Sequence, residues 1–180
     1  MVALRKALSY SKKKVRPFTR KSAKKKKAFI KAVPQSKIVK FNMGDQAGFL
    51  AGKHNYCVRL VAEQKVQIRD NSLEACRQMV NKLLDKHLPG AYFFTIKVFP
   101  HHILRENKLA AGAGADRLSS GMRHSFGVTV GRAAIVPVGK EILNITCTDD
   151  RAARIAKKTL EQIKSKLPCQ SRIIFEKIGK

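Results

Sequence analysis

No Asp or Glu precedes Asp45, whereas residues 1–44 carry fifteen Lys and Arg. A stretch holding Arg5, Lys6, Lys12, Lys13, Lys14, Arg16, Arg20, Lys21, Lys24, Lys25, Lys26, Lys27, Lys31, Lys37 and Lys40 repels itself and cannot collapse alone. It requires a polyanion to become ordered. Residues 45–180 hold 23 basic and 12 acidic groups, a net of +11, so the remainder is basic as well, though mixed in sign. Both parts lean toward nucleic acid.

Other readings of the charge explain less. A membrane surface needs an apolar moment or an acylation signal beside the lysines, and Met1-Val2 begins no myristoylation motif. A mitochondrial presequence favours Arg on an amphipathic helix, whereas Lys12 to Lys14 and Lys24 to Lys27 are lysine blocks. A nuclear-import run at Lys24 to Lys27 accounts for four bases and leaves eleven unexplained. The 180 residues divide into a basic extension, 1–44, and one domain, 45–180, long enough for a core. With 44% hydrophobic residues and no apolar run near the roughly 20 residues of a membrane span, a soluble chain is expected. Cys57, Cys76, Cys147 and Cys169 form no C-x-x-C pair, and all but Cys169 lie in apolar periodic stretches, as thiols buried in a reducing cytosol would.

Periodicity outlines the domain. Lys37 to Phe41 reads as a short strand or extended segment, and Gly44, Gly48 and Gly52 mark a loop. Tyr56 to Ala62 and Lys65 to Arg69 alternate and suggest a hairpin. Asn71 with Glu74 resembles a capping box before Leu73, Cys76, Val80, Leu83, Leu84 and Leu88, which predict a helix ending at Pro89-Gly90. Tyr92 to Phe99 predicts a strand stopped by Pro100. The order then recurs. A second hairpin is expected from Arg132 to Val138 and Glu141 to Cys147. A helix opens at Thr148, Asp149 and Asp150 and stops at Pro168, and Arg172 to Ile178 supplies a last strand. The expected fold is α+β, built of two β-β-α-β units joined by a long loop over 100–131.

That loop combines bases with residues of little bulk. Arg105 and Lys108 precede Leu109, Ala110, Ala111, Gly112, Ala113, Gly114 and Ala115, and Arg117, Arg123 and Arg132 follow Asp116 around Gly121 and Gly127. Small residues let a chain approach another backbone closely, and guanidinium forks suit phosphates in irregular RNA. Sharper chemistry fails on composition. Gly112-Ala113-Gly114-Ala115-Asp116-Arg117 has Arg117 where a dinucleotide fingerprint needs its third glycine. His101, His102 and Glu106 could serve a metal-dependent nuclease, but adjacent histidines diverge in extended chain and a second carboxylate cluster is missing, so one packed and one RNA-facing imidazole is expected. Ser119 and Ser120 beside His124 have only Asp116 for a triad, and His54 with Cys57 lacks the second pair that zinc requires. Phe93, Phe94 and Phe99 read as core rather than as base-stacking rings.

Gly114-Ala115-Asp116-Arg117-Leu118, followed by Gly121-Met122-Arg123 and Phe126-Gly127, closely resembles the signature of the large-subunit ribosomal protein family L ten e of archaea and eukaryotes, the counterpart of bacterial L sixteen. Arg16 to Arg20, Val33-Pro34 with Lys37 to Phe41, and Ile103 to Lys108 resemble further family stretches, so the likeness covers nearly the whole chain. Ser119-Ser120 and His124-Ser125 depart from the Gln-Thr and Gly-Ala common in the family, and the leading lysine run is longer than usual. The resemblance implies a hammerhead-type α+β fold and a place in the large subunit beside the A-site tRNA, near the peptidyl-transferase centre. It implies direct contact with large-subunit rRNA, with residues 108 to 117 in the loop that approaches tRNA.

The function expected is a structural constituent of the large ribosomal subunit that binds rRNA and helps seat A-site tRNA, without catalysis, cofactor or metal. The bases expected on rRNA are Lys12, Lys13, Lys14, Arg16, Arg20, Lys21, Lys24 to Lys27, Arg105, Lys108, Arg117, Arg123 and Arg132. Neighbouring large-subunit proteins are expected partners; a membrane or a second copy of the chain is not. The alternatives are a free-standing nucleic-acid enzyme using His101, His102 and Glu106, and a DNA-compacting protein, whose bases would sit on regular helices or ribbons.

Overall fold

Apolar residues at alternate positions of strands, and at three- and four-residue intervals in the two long helices, set up a sheet with helices against one face. The computed structural model describes residues 5–11, 30–107, 109, 112, 119 and 121–178. Its strands are β1 (Asn42–Gly44), β2 (Tyr56–Ala62), β3 (Val66–Arg69), β4 (Tyr92–Ile96), β5 (His102–Glu106), β6 (Val128–Val136), β7 (Glu141–Cys147) and β8 (Ser171–Lys177). Its helices are α1 (Leu8–Ser11), α2 (Gln46–Leu50), α3 (Asp70–His87) and α4 (Asp150–Ile163). One sheet has the order β1-β4-β7-β2-β8 and a smaller one β3-β6-β5; every pairing is antiparallel.

Val58 and Leu60 of β2, Leu143 and Ile145 of β7 and Phe94 of β4 enter one core with Leu73, Cys76, Val80 and Leu84 of α3 and Ala156, Leu160 and Ile163 of α4. Burying a Leu or Ile side chain contributes about 1.5–3 kcal/mol, so this layer of helices on sheet dominates stability. Ile68, Ala134 and Val136 of the small sheet join the same core, and the two sheets are thereby fixed to one another. Cys57, Cys76 and Cys147 are buried as free thiols.

Neither expected hairpin forms. β2 pairs with β7 and β8, and β3 pairs with β6 in the other sheet. Each chain passes through a bend instead of turning back, so β2–β3 lies beside β7–β6 as one ribbon that crosses between sheets. Its register runs from Tyr56↔Cys147 through Leu60↔Leu143 to Val66↔Val136. At the bend Gly139 N donates to Ala62 O at 2.8 Å and Ala62 N to Lys140 O at 3.0 Å. Alternation reports which face a residue takes, and says nothing of the partner strand.

Several element limits move for local reasons. Lys37 to Phe41, expected as a short strand or an extended segment, forms no strand, because the amides of Lys37 and Val39 donate to the Asp70 and Glu74 carboxylates; sheet pairing begins at Asn42–Gly44. Asp45 Oδ1 accepts from Gly48 N at 2.8 Å, so part of the expected glycine loop becomes α2. The Asn71–Glu74 capping box is absent: α3 starts at Asp70, whose Oδ1 takes the Asn71 amide, and Glu74 is held by Arg77. β4 ends at Ile96; Phe93 and Phe94 are buried as expected, but Phe99 is 54% exposed. The helix expected to run to Pro168 gives way after Ile163 to a 3-10 turn, Lys164–Lys166. The loop expected over 100–131 is shortened at both ends by the β5–β6 hairpin, leaving 107–127 at its tip.

Candidate nucleic-acid interface

Each strand of the small sheet carries one half-buried arginine, and each guanidinium holds a carbonyl of a flanking segment. Arg132 Nε on β6 donates to Pro34 O at 2.6 Å. Arg105 Nη1 on β5 donates to Phe126 O at 2.7 Å and its guanidinium carbon stands 4.0 Å from the centre of the Phe126 ring. Arg69 Nη1 at the end of β3 donates to Arg5 O at 3.2 Å while its guanidinium stacks 5.3 Å from the Tyr10 ring. A planar fork can grip a carbonyl and cover a ring together, which a lysine ammonium cannot.

The N-terminal segment is attached by more than Arg69. Tyr10 of α1 is buried against Leu104 and Ala133, its hydroxyl donates to Glu106 Oε2 at 3.1 Å, and Gln67 Nε2 donates to its carbonyl at 2.9 Å. Arg5 Nε meets Glu106 Oε1 at 2.6 Å. Burial, followed by the bond to Glu106, pushes the Tyr10 hydroxyl above its ordinary pKa. Residues 30–34 are secured beside β6 by Arg132, by Thr129 Oγ1 donating to Ala32 O at 3.2 Å, and by burial of Ile30.

The base of the 107–127 segment is closed by a glycine that no other residue could replace. Gly127 has φ +77°, and a Cβ there would stand 2.7 Å from the Glu106 carbonyl carbon. Asn107 Nδ2 donates to Gly121 O at 3.2 Å. From this closed base the turn 121–126 projects with Met122, Arg123, His124 and Phe126 exposed.

Of the bases expected on RNA, the structure describes Arg105, Arg123 and Arg132. Arg123 is exposed, whereas Arg105 and Arg132 are half-buried and engaged with protein carbonyls. Lys12, Lys13, Lys14, Arg16, Arg20, Lys21, Lys24 to Lys27, Lys108 and Arg117 lie outside the described residues, as do Ala110, Ala111 and 113 to 116 of the expected tRNA loop; Leu109 is described and exposed. Sequence reasoning missed Tyr10, Gln67, Asn107 and Phe126 as the parts that attach the arm and the loop.

The alternative chemistry loses its groups. Glu106 is engaged by Arg5 and Tyr10, and His102 is buried beside a half-buried His101. Burial, then His101 and Arg105, push the His102 pKa down, favouring a neutral ring. His54 is buried against Phe49, and Cys57 Sγ faces Asn144 Oδ1 at 3.0 Å, so the two do not converge as ligands. Among the described residues no three His, Cys, Asp or Glu stand together as metal ligands would.

Residues 17–174 match the family model described as ribosomal protein L16p/L10e. The large ribosomal subunit protein uL16 of Staphylothermus marinus is 43% identical over 161 residues, 89% of this chain and 86% of the relative. Its counterpart in Thermofilum pendens is 47% identical over 149 residues, covering 82% and 86%. That of Methanococcus maripaludis is 41% identical over 177 residues, covering 98% and 96%.

Proposed function

The chain belongs to the ribosomal protein L16p/L10e family, and from that premise we propose that it binds large-subunit rRNA and helps position A-site tRNA near the peptidyl-transferase centre. It is a structural constituent of the large ribosomal subunit in the cytoplasm and not an enzyme. No helix among the described residues is long and apolar enough to cross a membrane. Its neighbours are other large-subunit proteins, and it acts as a single copy. The rRNA-binding extension lies within residues 1–44, ahead of the buried Ile38 and of β1, which are built into the domain, and it carries Lys12 to Lys14, Arg16, Arg20, Lys21 and Lys24 to Lys27 on phosphates. Arg123, and with it Lys108 and Arg117, anchors the loop on RNA. The body is two β-β-α-β units, β2-β3-α3-β4 and β6-β7-α4-β8 in chain order.

One observation carries the tRNA reading. The segment 107–127 leaves a hairpin whose mouth is fixed by Arg105, Asn107 and Gly127, and the sequence between those points is a run of small residues from Leu109 to Ala115. Deleting Leu109 to Ala113 removes no charge and no aromatic ring. Purified ribosomes carrying the deletion should form subunits at normal yield yet show weaker A-site tRNA binding or slower peptide-bond formation. If both values equal those of the parent ribosome, the loop is a structural spacer.

A further inference from the structure

Phe99 is turned outward although the residues on either side of it, Val98 and Pro100, are buried. Its ring, 54% exposed, lies against Phe41 with centroids 5.6 Å apart and planes 26° from parallel, so one flat face is backed and the other is presented. The other exposed phenylalanines differ: Phe49 lies on Phe93, Phe126 lies under Arg105, and Phe175 is followed by Glu176 in a strand of mixed sign.

The chain segments that carry the Phe41–Phe99 stack are basic. The two stretches that bring the rings together, 1–44 and 86–105, contain no Asp or Glu, and Lys97, two residues before Phe99, is exposed. Lys97 and Phe99 are about 6–7 Å apart along extended chain, so ammonium and ring reach the same neighbourhood. Two acids approach these segments and both are engaged by arginine: Glu141, adjacent to the Ile142 carbonyl that accepts the Lys97 amide, by Arg59 at 2.8 Å, and Glu74, which accepts from Val39 N, by Arg77 at 2.6 Å. A flat apolar face with an ammonium at its margin matches an unstacked nucleobase and a phosphate of its strand.

We propose that Phe99, backed by Phe41, is a stacking platform for an unpaired base of single-stranded RNA, with a flanking phosphate on Lys97. The proposal rests on the reading that this chain binds RNA, and it places a contact just past the end of β4, away from the lysine blocks and from the 107–127 segment.

The sequence contains no Trp, so Phe99→Trp creates a lone indole reporter at the platform. The full chain carrying it is titrated with an oligoadenylate of about ten nucleotides and with a duplex of equal length, binding being followed independently by the anisotropy of labelled RNA. Quenched indole emission with the single strand and none with the duplex is expected. Phe175→Trp, on the far edge of the sheet, should not be quenched. In the parent background Phe99→Ala should weaken single-strand binding roughly five- to a hundredfold at unchanged melting temperature, and Phe99→Tyr should restore it. If RNA binds but the indole stays unquenched and Phe99→Ala binds like the parent, the platform is refuted while the RNA-binding reading stands. If no RNA binds even at low salt, both fall. A blue shift without quenching on entry into large subunits would put protein over the ring and overturn the assignment to RNA.

Discussion

Arg132 separates two accounts of a base beside RNA, and replacing it by Ala or Lys decides between them. Its Nε holds Pro34 O at 2.6 Å, the hydrogen bond of a charged donor, and such bonds contribute about 2 kcal/mol, or a factor of about thirty. Ile30 and Ile38 are buried on either side of the contact, so Arg132→Ala should not detach the segment. It should let the stretch between those anchors open about thirtyfold more often. The Lys37 amide, which donates to Asp70 Oδ2 at 3.1 Å, reports that opening through hydrogen exchange. Arg132→Lys keeps the charge but lacks the Nε donor, so its exchange should rise as in the Ala variant. For neither variant should the slope of log affinity for rRNA against log salt change. A slope reduced by about 0.7–0.9 in Arg132→Ala alone, with Lys37 exchange at the parent rate, would make Arg132 a phosphate ligand and refute the positioning role.

Three further outcomes follow from the same geometry. The Arg77 hydrogen bonds, more than the other contacts, hold the Glu74 carboxyl below its usual range; the stability this adds is present above the unfolded-state pKa and lost as pH falls through the folded value. Glu74→Gln should therefore melt lower than the parent at pH 7 by about 2 kcal/mol of stability and lose less between pH 5 and pH 3; parallel acid profiles would contradict it. Burial pushes the Cys76 and Cys147 thiols up to about 12, so native protein at pH 8 should alkylate at the half-buried Cys169 well before either, and equal rates by mass spectrometry would count against the packed core. Arg105→Lys and Phe126→Ala should each raise hydrogen exchange in 121–127, with a coupling of about 1 kcal/mol in the double variant; strict additivity would mean that the ring contact contributes nothing.

Faces and element types were readable from the sequence because burial imposes a period. Leu73, Cys76, Val80 and Leu84 follow one helical stripe, and Val58 and Leu60 one strand face. Pairing was not readable. Nothing in Glu63-Gln64-Lys65 distinguishes a turn that folds a strand back from a bend that carries it into a second sheet, since the choice is made by β6 and β7, more than sixty residues away. Carboxylates caused the remaining errors. Glu74 has the right spacing to cap α3 but finds Arg77 and the Val39 amide, the second of them distant in sequence.

The candidate interface shows the same limit in its charges. Composition points to a polyanion as partner, because the fifteen bases of residues 1–44 have no acid among them, even though Arg5 reaches Glu106 in the domain. It cannot say which bases remain available, since a guanidinium finds carbonyls as readily as phosphates. In the small sheet Arg69, Arg105 and Arg132, one from each strand, reach Arg5 O, Phe126 O and Pro34 O. These carbonyls belong to the three segments that lead into the lysine-rich stretch, out of it, and out of the central loop. The sheet arginines thereby fix where those segments leave the sheet, and on the proposed function phosphate neutralisation falls to other bases, the exposed Arg123 among them. Affinity for RNA should then respond to the sheet arginines through geometry and to the tail lysines through salt, two dependences that one titration series measures separately.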